Sequence, residues 1–137
     1  NMSIKWIDHI VIGVKNLEHS IVTFRDKLGL SLMAERENPA LGIKSAHFKL
    51  PDERVLELAE PLGPDTPLGR AMERRGEGIH ILALAVENLE KAVEEYRSKG
   101  LQMIVDDATK QAFIHPRSSN GVLIQLIEDP SDSKLSK

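Results

Sequence analysis

The sequence contains no cysteine, which excludes a disulfide framework, a thiolate nucleophile and any zinc–sulfur site. Aromatic residues are few, with one Trp, one Tyr and three Phe, so there is no platform on which nucleobases could stack. Basic residues are not in excess. The formal net charge of −3 gives no electrostatic reason to expect a nucleic-acid partner. No apolar run approaches the roughly 20 residues that span a bilayer, and no cleavable signal pattern opens the chain. These absences point to a cytoplasmic protein with no membrane partner. What remains is 137 residues, 41% hydrophobic and 28% charged, the size and balance of one domain with a real core. That domain is expected over 1–130, with a flexible Ser/Asp/Lys-rich tail at 131–137.

The first clear element is Trp6-Ile7-Asp8-His9-Ile10-Val11-Ile12-Gly13-Val14, a β-branched run that reads as a strand. A helix follows with Asn16 as N-cap; Leu17, Ile21, Phe24 and Leu28 form its apolar stripe and Gly29 stops it. Strands are predicted near 31–35, 43–50 and 54–60, punctuated by Asn38-Pro39 and Pro51-Asp52. A short helix near 68–74 follows Pro67. The pattern then restarts. A strand over 80–86 leads into a helix carrying Leu89, Val93 and Tyr96, closed by Gly100, and strands near 101–105, 111–115 and 122–128 complete the set.

The two halves superpose. Val14-Lys15-Asn16-Leu17-Glu18 matches Val86-Glu87-Asn88-Leu89-Glu90 at an offset of 72 residues, and Leu56-Glu57-Leu58-Ala59-Glu60 matches Ile124-Gln125-Leu126-Ile127-Glu128 at an offset of 68. A shared strand–helix opening and a shared closing strand indicate an internal duplication. The expected fold is α+β, with tandem βαβββ modules forming a curved eight-stranded sheet cup. Module one covers about 6–62, a linker helix 66–75 and module two about 78–129. The concave side of such a cup is a natural site for a small molecule.

Strand alternation orients the candidate residues. Ile10, Ile12 and Val14 belong to the helix side of the first strand, so His9, Val11 and Gly13 face the other way. Leu56 and Leu58 take the helix side of the fourth strand, which turns Glu57 to the face of His9. An imidazole and a carboxylate on neighbouring strands are half of a divalent-metal site; a satisfied core histidine and a salt-bridged Glu read the same spacing equally well. In the repeat, His9 corresponds to Ile81 and Glu57 to Gln125. Gln125 offers an amide oxygen and Ile81 offers nothing. His80, the neighbour of Ile81, lies on the opposite face by alternation and would reach the site only through a bulge. His47 shares a face with Ser45 in the third strand, where it would serve as a base. Arg117, Ser118 and Ser119, after His115-Pro116, either contact phosphates or form a hairpin loop with Asn120-Gly121 as its turn.

Four segments carry a family resemblance: Asp8-His9-Ile10-Val11-Ile12-Gly13-Val14, Leu56-Glu57-Leu58-Ala59-Glu60-Pro61-Leu62, Gly78-Ile79-His80-Ile81, and Phe113-Ile114-His115-Pro116-Arg117-Ser118-Ser119-Asn120-Gly121-Val122-Leu123-Ile124. Through them the stretch from Ile7 to Glu128 resembles the methylmalonyl-CoA epimerases of the vicinal oxygen chelate (glyoxalase-like) superfamily. The resemblance implies a divalent metal (Co, Zn, Ni or Mn) with His9 and Glu57 as its first two ligands. The third ligand, the second His of a His-His pair, falls on Ile81, leaving His80 as the stand-in; the fourth, a Glu, falls on Gln125. Of the family's two catalytic carboxylates, one falls on Ser45 and the other on Gln125, with His47 the candidate replacement. His115, Arg117, Ser118, Ser119 and Ile81 become substrate contacts, a CoA thioester the implied ligand and a homodimer the implied assembly. The expected function is a metal-dependent isomerase or lyase acting on a small carbonyl compound or acyl thioester. The alternative is a metal-free small-molecule or acyl-CoA binding protein without epimerase activity.

Overall fold

A computed structural model describes residues 4–129; the tail at 131–137 lies outside the described residues. The elements run β1 (Ile4–Gly13), α1 (Leu17–Ile21), β2 (Ser31–Asn38), β3 (Ile43–Lys49), β4 (Val55–Pro61), α2 (Pro67–Arg75), β5 (Gly78–Val86), α3 (Leu89–Ser98), β6 (Met103–Asp106), β7 (Gln111–Ile114) and β8 (Ile124–Glu128). The eight strands form one open, mixed sheet in the order β2-β3-β4-β1-β5-β8-β7-β6. The fold is α+β, as the sequence predicts. By its contacts the chain divides into two compact units, one of His9–His80 and one of residues 4–8 with 81–129.

In the unit His9–His80, β1 runs parallel to β4, with Val11 opposite Glu57 and Gly13 opposite Ala59. β3 is antiparallel to both β2 and β4. Alternation sorts the side chains as expected: Ile12, Val14, Ala46, Phe48, Leu56 and Leu58 form a core with Leu17, Ile21 and Phe24. Asn16 caps α1 by accepting a hydrogen bond from the His19 amide at 2.9 Å. The helix does not continue as regular α-helix. Residues Val22–Lys27 are π-helical, with the Leu28 amide donating to the Thr23 carbonyl five residues back at 3.0 Å. The wider turn carries Leu28 off the apolar stripe predicted for it, and it stands 61% exposed. α2, capped by Thr66 with Pro67 in its first turn, packs over Gly13. A Cβ on Gly13 would sit 3.1 Å from both Leu68 Cδ1 and Met72 Sδ, so the bare backbone is what lets α2 approach this closely.

In the other unit, β5 runs parallel to β8 with Ala83 opposite Gln125, and β7 is antiparallel to β6 and β8. Val86, Ala112, Ile114 and Leu126 form its core with Leu89, Ala92, Val93 and Tyr96 of α3. The duplication is visible in the hydrogen bonds. Asn88 caps α3 as Asn16 caps α1, accepting from the Lys91 amide at 2.9 Å. Glu60, at the end of β4, accepts from the Leu17 amide at 2.7 Å, and Glu128, at the end of β8, accepts from the Leu89 amide at 3.0 Å. In each unit the closing strand supplies a carboxylate to the free N–H groups of the opening helix. The residues matched at offsets 72 and 68 thus meet in one repeated contact.

Candidate functional site

The face of the unit His9–His80 turned away from α1 is the place where polar side chains gather. The register puts His47 opposite Glu57 and Ser45 opposite Ala59, with Val11 beside Glu57 and His9 beside Val55. His9, Ser45, His47 and Glu57 therefore share one face, as alternation predicts. Ser45, Ala59 opposite it and Val11 of β1 are buried, whereas His9 and His47 are half-buried. The nitrogen Nε2 of His47 lies 3.1 Å from Oε1 of Glu57, and the two side chains are only 19% and 14% exposed. The second ring nitrogen, Nδ1, is buried with no hydrogen-bond partner among the described residues. Sequence reasoning found both residues but missed their contact. The signal was present: a hairpin turning about Asp52 necessarily sets residue 47 against residue 57.

His80, the stand-in ligand, behaves differently. It lines a small cavity of about 200 Å³ with Gly13, Leu68, Met72 and Arg75. Burial pushes its imidazole below the ordinary value, and the Arg75 guanidinium adds to the shift.

In the other unit, Gln125 is half-buried between Ala83 of β5 and Phe113 of β7, and Ile81 is half-buried in β5. The 115–119 segment spends most of its polar groups on its own and nearby backbone. His115 Nδ1 accepts from the Arg117 amide at 2.9 Å, capping a 3₁₀ turn over Pro116–Ser118. Ser118 Oγ accepts from the Gln102 amide at 2.9 Å, and Ser119 Oγ donates to the Val122 carbonyl at 2.7 Å. Arg117 is exposed. Asn120 and Gly121, with φ of +59° and +86°, make the left-handed turn that the sequence suggested.

A profile of the glyoxalase/bleomycin resistance protein/dioxygenase superfamily matches residues 8–118. The chain belongs to this superfamily. Similar proteins include the ethylmalonyl-CoA/methylmalonyl-CoA epimerase of Cereibacter sphaeroides, 27% identical, the match covering 88% of this chain and 95% of that protein. A crystal structure of a hypothetical protein from Bacillus halodurans matches at 35% identity and a TM-score of 0.83, over 93% of this chain and 96% of that one. A Streptomyces coelicolor methylmalonyl-CoA epimerase variant in complex with 2-nitronate-propionyl-CoA matches at 25% identity and a TM-score of 0.81, over 93% and 99%. This superfamily member is thus related to methylmalonyl-CoA epimerases. Among its described residues no helix is long and apolar enough to cross a membrane.

The divalent cation that the resemblance implies does not fit the donors this superfamily member presents. His9 and Glu57 share a face, but Glu57 is already engaged by His47. The position matched to the third ligand is Ile81, which has no donor atom, and the fourth, Gln125, is neutral. No group of three or more His, Asp or Glu side chains suited to holding a metal occurs among the described residues. Catalytic metal centres of this chemistry take three protein ligands. Of the implied positions only His9 and Glu57 carry an imidazole or carboxylate, Glu57 is engaged by His47, and Gln125 adds no more than a neutral amide oxygen.

Proposed function

We propose that the protein binds a small acyl-CoA thioester, or a kindred carbonyl compound, and moves a proton at the carbon beside the carbonyl. The observation that carries this reading is the His47–Glu57 pair at 3.1 Å, an acid–base group on the face opposite α1. The kinship with a structure holding 2-nitronate-propionyl-CoA supports the ligand class. Within the unit His9–His80, Ser45 offers a hydroxyl to a ligand oxygen. In the other unit, the exposed Arg117 offers a guanidinium to phosphate groups, with His115, Ser118 and Ser119 shaping its loop.

Epimerisation needs a proton acceptor on each face of the carbon. Neither Ser45 nor Gln125, which stand at the family's carboxylate positions, is a base at neutral pH. The His47–Glu57 pair alone works from one side, once the entering ligand uncovers Nδ1, which is buried in the free protein: Nδ1 takes the α-proton, the C–H electron pair moves onto the thioester carbonyl, and Nδ1 returns a proton to the same face. The expected activity is exchange of the α-proton with solvent, without inversion. A second reading, a binding protein without chemistry, is favoured by the burial of His47 Nδ1.

Incubating propionyl-CoA and one epimer of methylmalonyl-CoA in D₂O and following the α-proton by NMR tests the proposal. Deuterium uptake at retained configuration, lost in His47→Ala, is the expected result. Inversion of methylmalonyl-CoA overturns the one-sided mechanism. Saturable binding of either thioester with no uptake establishes the binder, and no binding at all refutes both readings.

A further inference from the structure

We infer that Glu57 in this chain is a positioning residue for His47 rather than a metal ligand, and that the site works without a divalent cation. The inference deepens the reading given under Proposed function, because it assigns the polar group at that same face.

Three observations converge on it. The first is geometric. His47 and Glu57 are directly opposed in the β3–β4 register, so their contact follows from the backbone and does not depend on a long, flexible reach. Two short side chains fixed by cross-strand pairing lose little further freedom when they meet. The second is electrostatic. Both side chains are largely withdrawn from water, where a carboxylate without a partner is costly. In a metal site the cation would meet that need; here the imidazole N–H meets it. The third is the state of the second nitrogen. With Nε2–H donated to Glu57, the ring carries its lone pair on Nδ1, and that atom is sealed from solvent. A cation arriving there would need its remaining ligands within an enclosed space, and the described residues bring no group of three His, Asp or Glu side chains together to supply them. The substitution of Ile for a ligand at position 81 is consistent with a site in which His47 has taken over the cation's partner.

Glu57 then does two things for its neighbour. It fixes the imidazole in the Nε2–H tautomer, and it balances positive charge on the ring whenever the ring holds a second proton. Both are properties of the ring rather than of activity, so both can be read directly.

The experiment uses the full chain, stripped with chelator and labelled with ¹⁵N and ¹³C. Long-range ¹H–¹⁵N spectra of His47 are recorded in the wild type, in Glu57→Gln and in Glu57→Asp, with backbone spectra to establish that each variant is folded. Cobalt(II), which is paramagnetic, is then titrated into each, and zinc is followed by calorimetry. The expected result is an Nε2–H pattern for His47 in the wild type that is unchanged by chelator. That pattern is lost or mixed in Glu57→Gln and restored at least in part by Glu57→Asp. Neither metal shows saturable one-to-one binding at micromolar concentrations.

Stoichiometric cobalt binding with paramagnetic shifts centred on His9 and Glu57 overturns the inference. So does a His47 spectrum indifferent to both Glu57 variants. Propionyl-CoA binding, measured on the same stripped wild-type protein, separates the two proposals. Its absence with an intact Nε2–H pattern refutes the ligand class alone, whereas metal binding refutes the present inference whatever the thioester does.

Discussion

Exchanging Glu60 and Glu128 for Gln, one at a time, isolates the duplicated contact between closing strand and opening helix. The two carboxylates make the same bond in different surroundings. Glu60 Oε1 accepts from the Leu17 amide at 2.7 Å in a partly buried setting, and its Oε2 lies 3.6 Å from Lys44 Nζ. Glu128 Oε1 accepts from the Leu89 amide at 3.0 Å in an exposed setting. Gln keeps an acceptor oxygen but loses the charge, so each substitution downgrades a charge-assisted bond of about 1.5–3 kcal/mol to a neutral one of about 0.5–1.5 kcal/mol. It also removes a favourable charge at a helix N-terminus, worth about 0.3–1 kcal/mol at an exposed site. These overlap, so Glu60→Gln should cost about 1–2 kcal/mol, and Glu128→Gln, where water and salt screen the charge, about 0.3–0.5 kcal/mol. Urea unfolding followed by circular dichroism reads the totals. Amide hydrogen exchange at Leu17 and Leu89 reads each bond where it sits, and added salt should shrink the Glu128 effect more. A Glu128→Gln cost equal to or larger than that of Glu60→Gln would refute the burial argument. Unaltered exchange at Leu17 in Glu60→Gln would refute the capping role itself.

The remaining predictions concern the core and pH. Phe48 is fully buried and its ring centroid lies 6.1 Å from that of Phe24, so Phe48→Ala should lose about 3–5 kcal/mol of stability in urea titration; a loss under 1 kcal/mol would mean that this core is not packed as described. Folding lowers the proton affinity of His80 below its ordinary value of 6.5. As the pH falls through that value, the unfolded chain therefore binds the proton first and stability drops. His80→Asn should flatten the thermal-midpoint profile below about pH 6.5, and an unchanged slope would disprove the coupling.

Much of this fold could be read in advance because its strongest signals are local and periodic. The run from His9 to Val14 alternates so regularly that the core side of β1 and the opposite side followed from parity, and the structure keeps that sorting. Asn16 announced a helix start by the chemistry of its side chain. The repeat of Val14-Lys15-Asn16-Leu17-Glu18 at Val86-Glu87-Asn88-Leu89-Glu90 tied the second unit's strand and helix to the first. What escaped is tertiary. The π turn after Ile21 breaks the 3.6-residue spacing that the sequence continues to suggest through Leu28. Gly13 read as one more strand residue, whereas its lack of a Cβ admits α2. At the site, parity put His9 with Glu57 and His47 with Ser45, and the register brings all four to one face, but parity says nothing about partners. Glu57 was read as one of two isolated donors, and only the β3–β4 register showed that His47 already occupies it. The 115–119 segment shows the converse: side chains that look ready for a ligand are largely spent on holding their own loop.

Each unit joins its first strand to its last in parallel, Val11 against Glu57 and Ala83 against Gln125, and this bears on how the chain finds its structure. More than forty residues separate the partners in both ladders. Closing a loop of that length costs about 3.4 kcal/mol in chain entropy before any contact repays it. The antiparallel β2–β3 and β3–β4 pairs turn over far shorter connections, so these hairpins can assemble while β1 is still unattached. The parallel docking of β1 on β4, and of β5 on β8, is then the late and slow event. Leu58 and Leu126, buried on the strands where that docking occurs, are the side chains at which a truncation should slow folding rather than merely hasten unfolding.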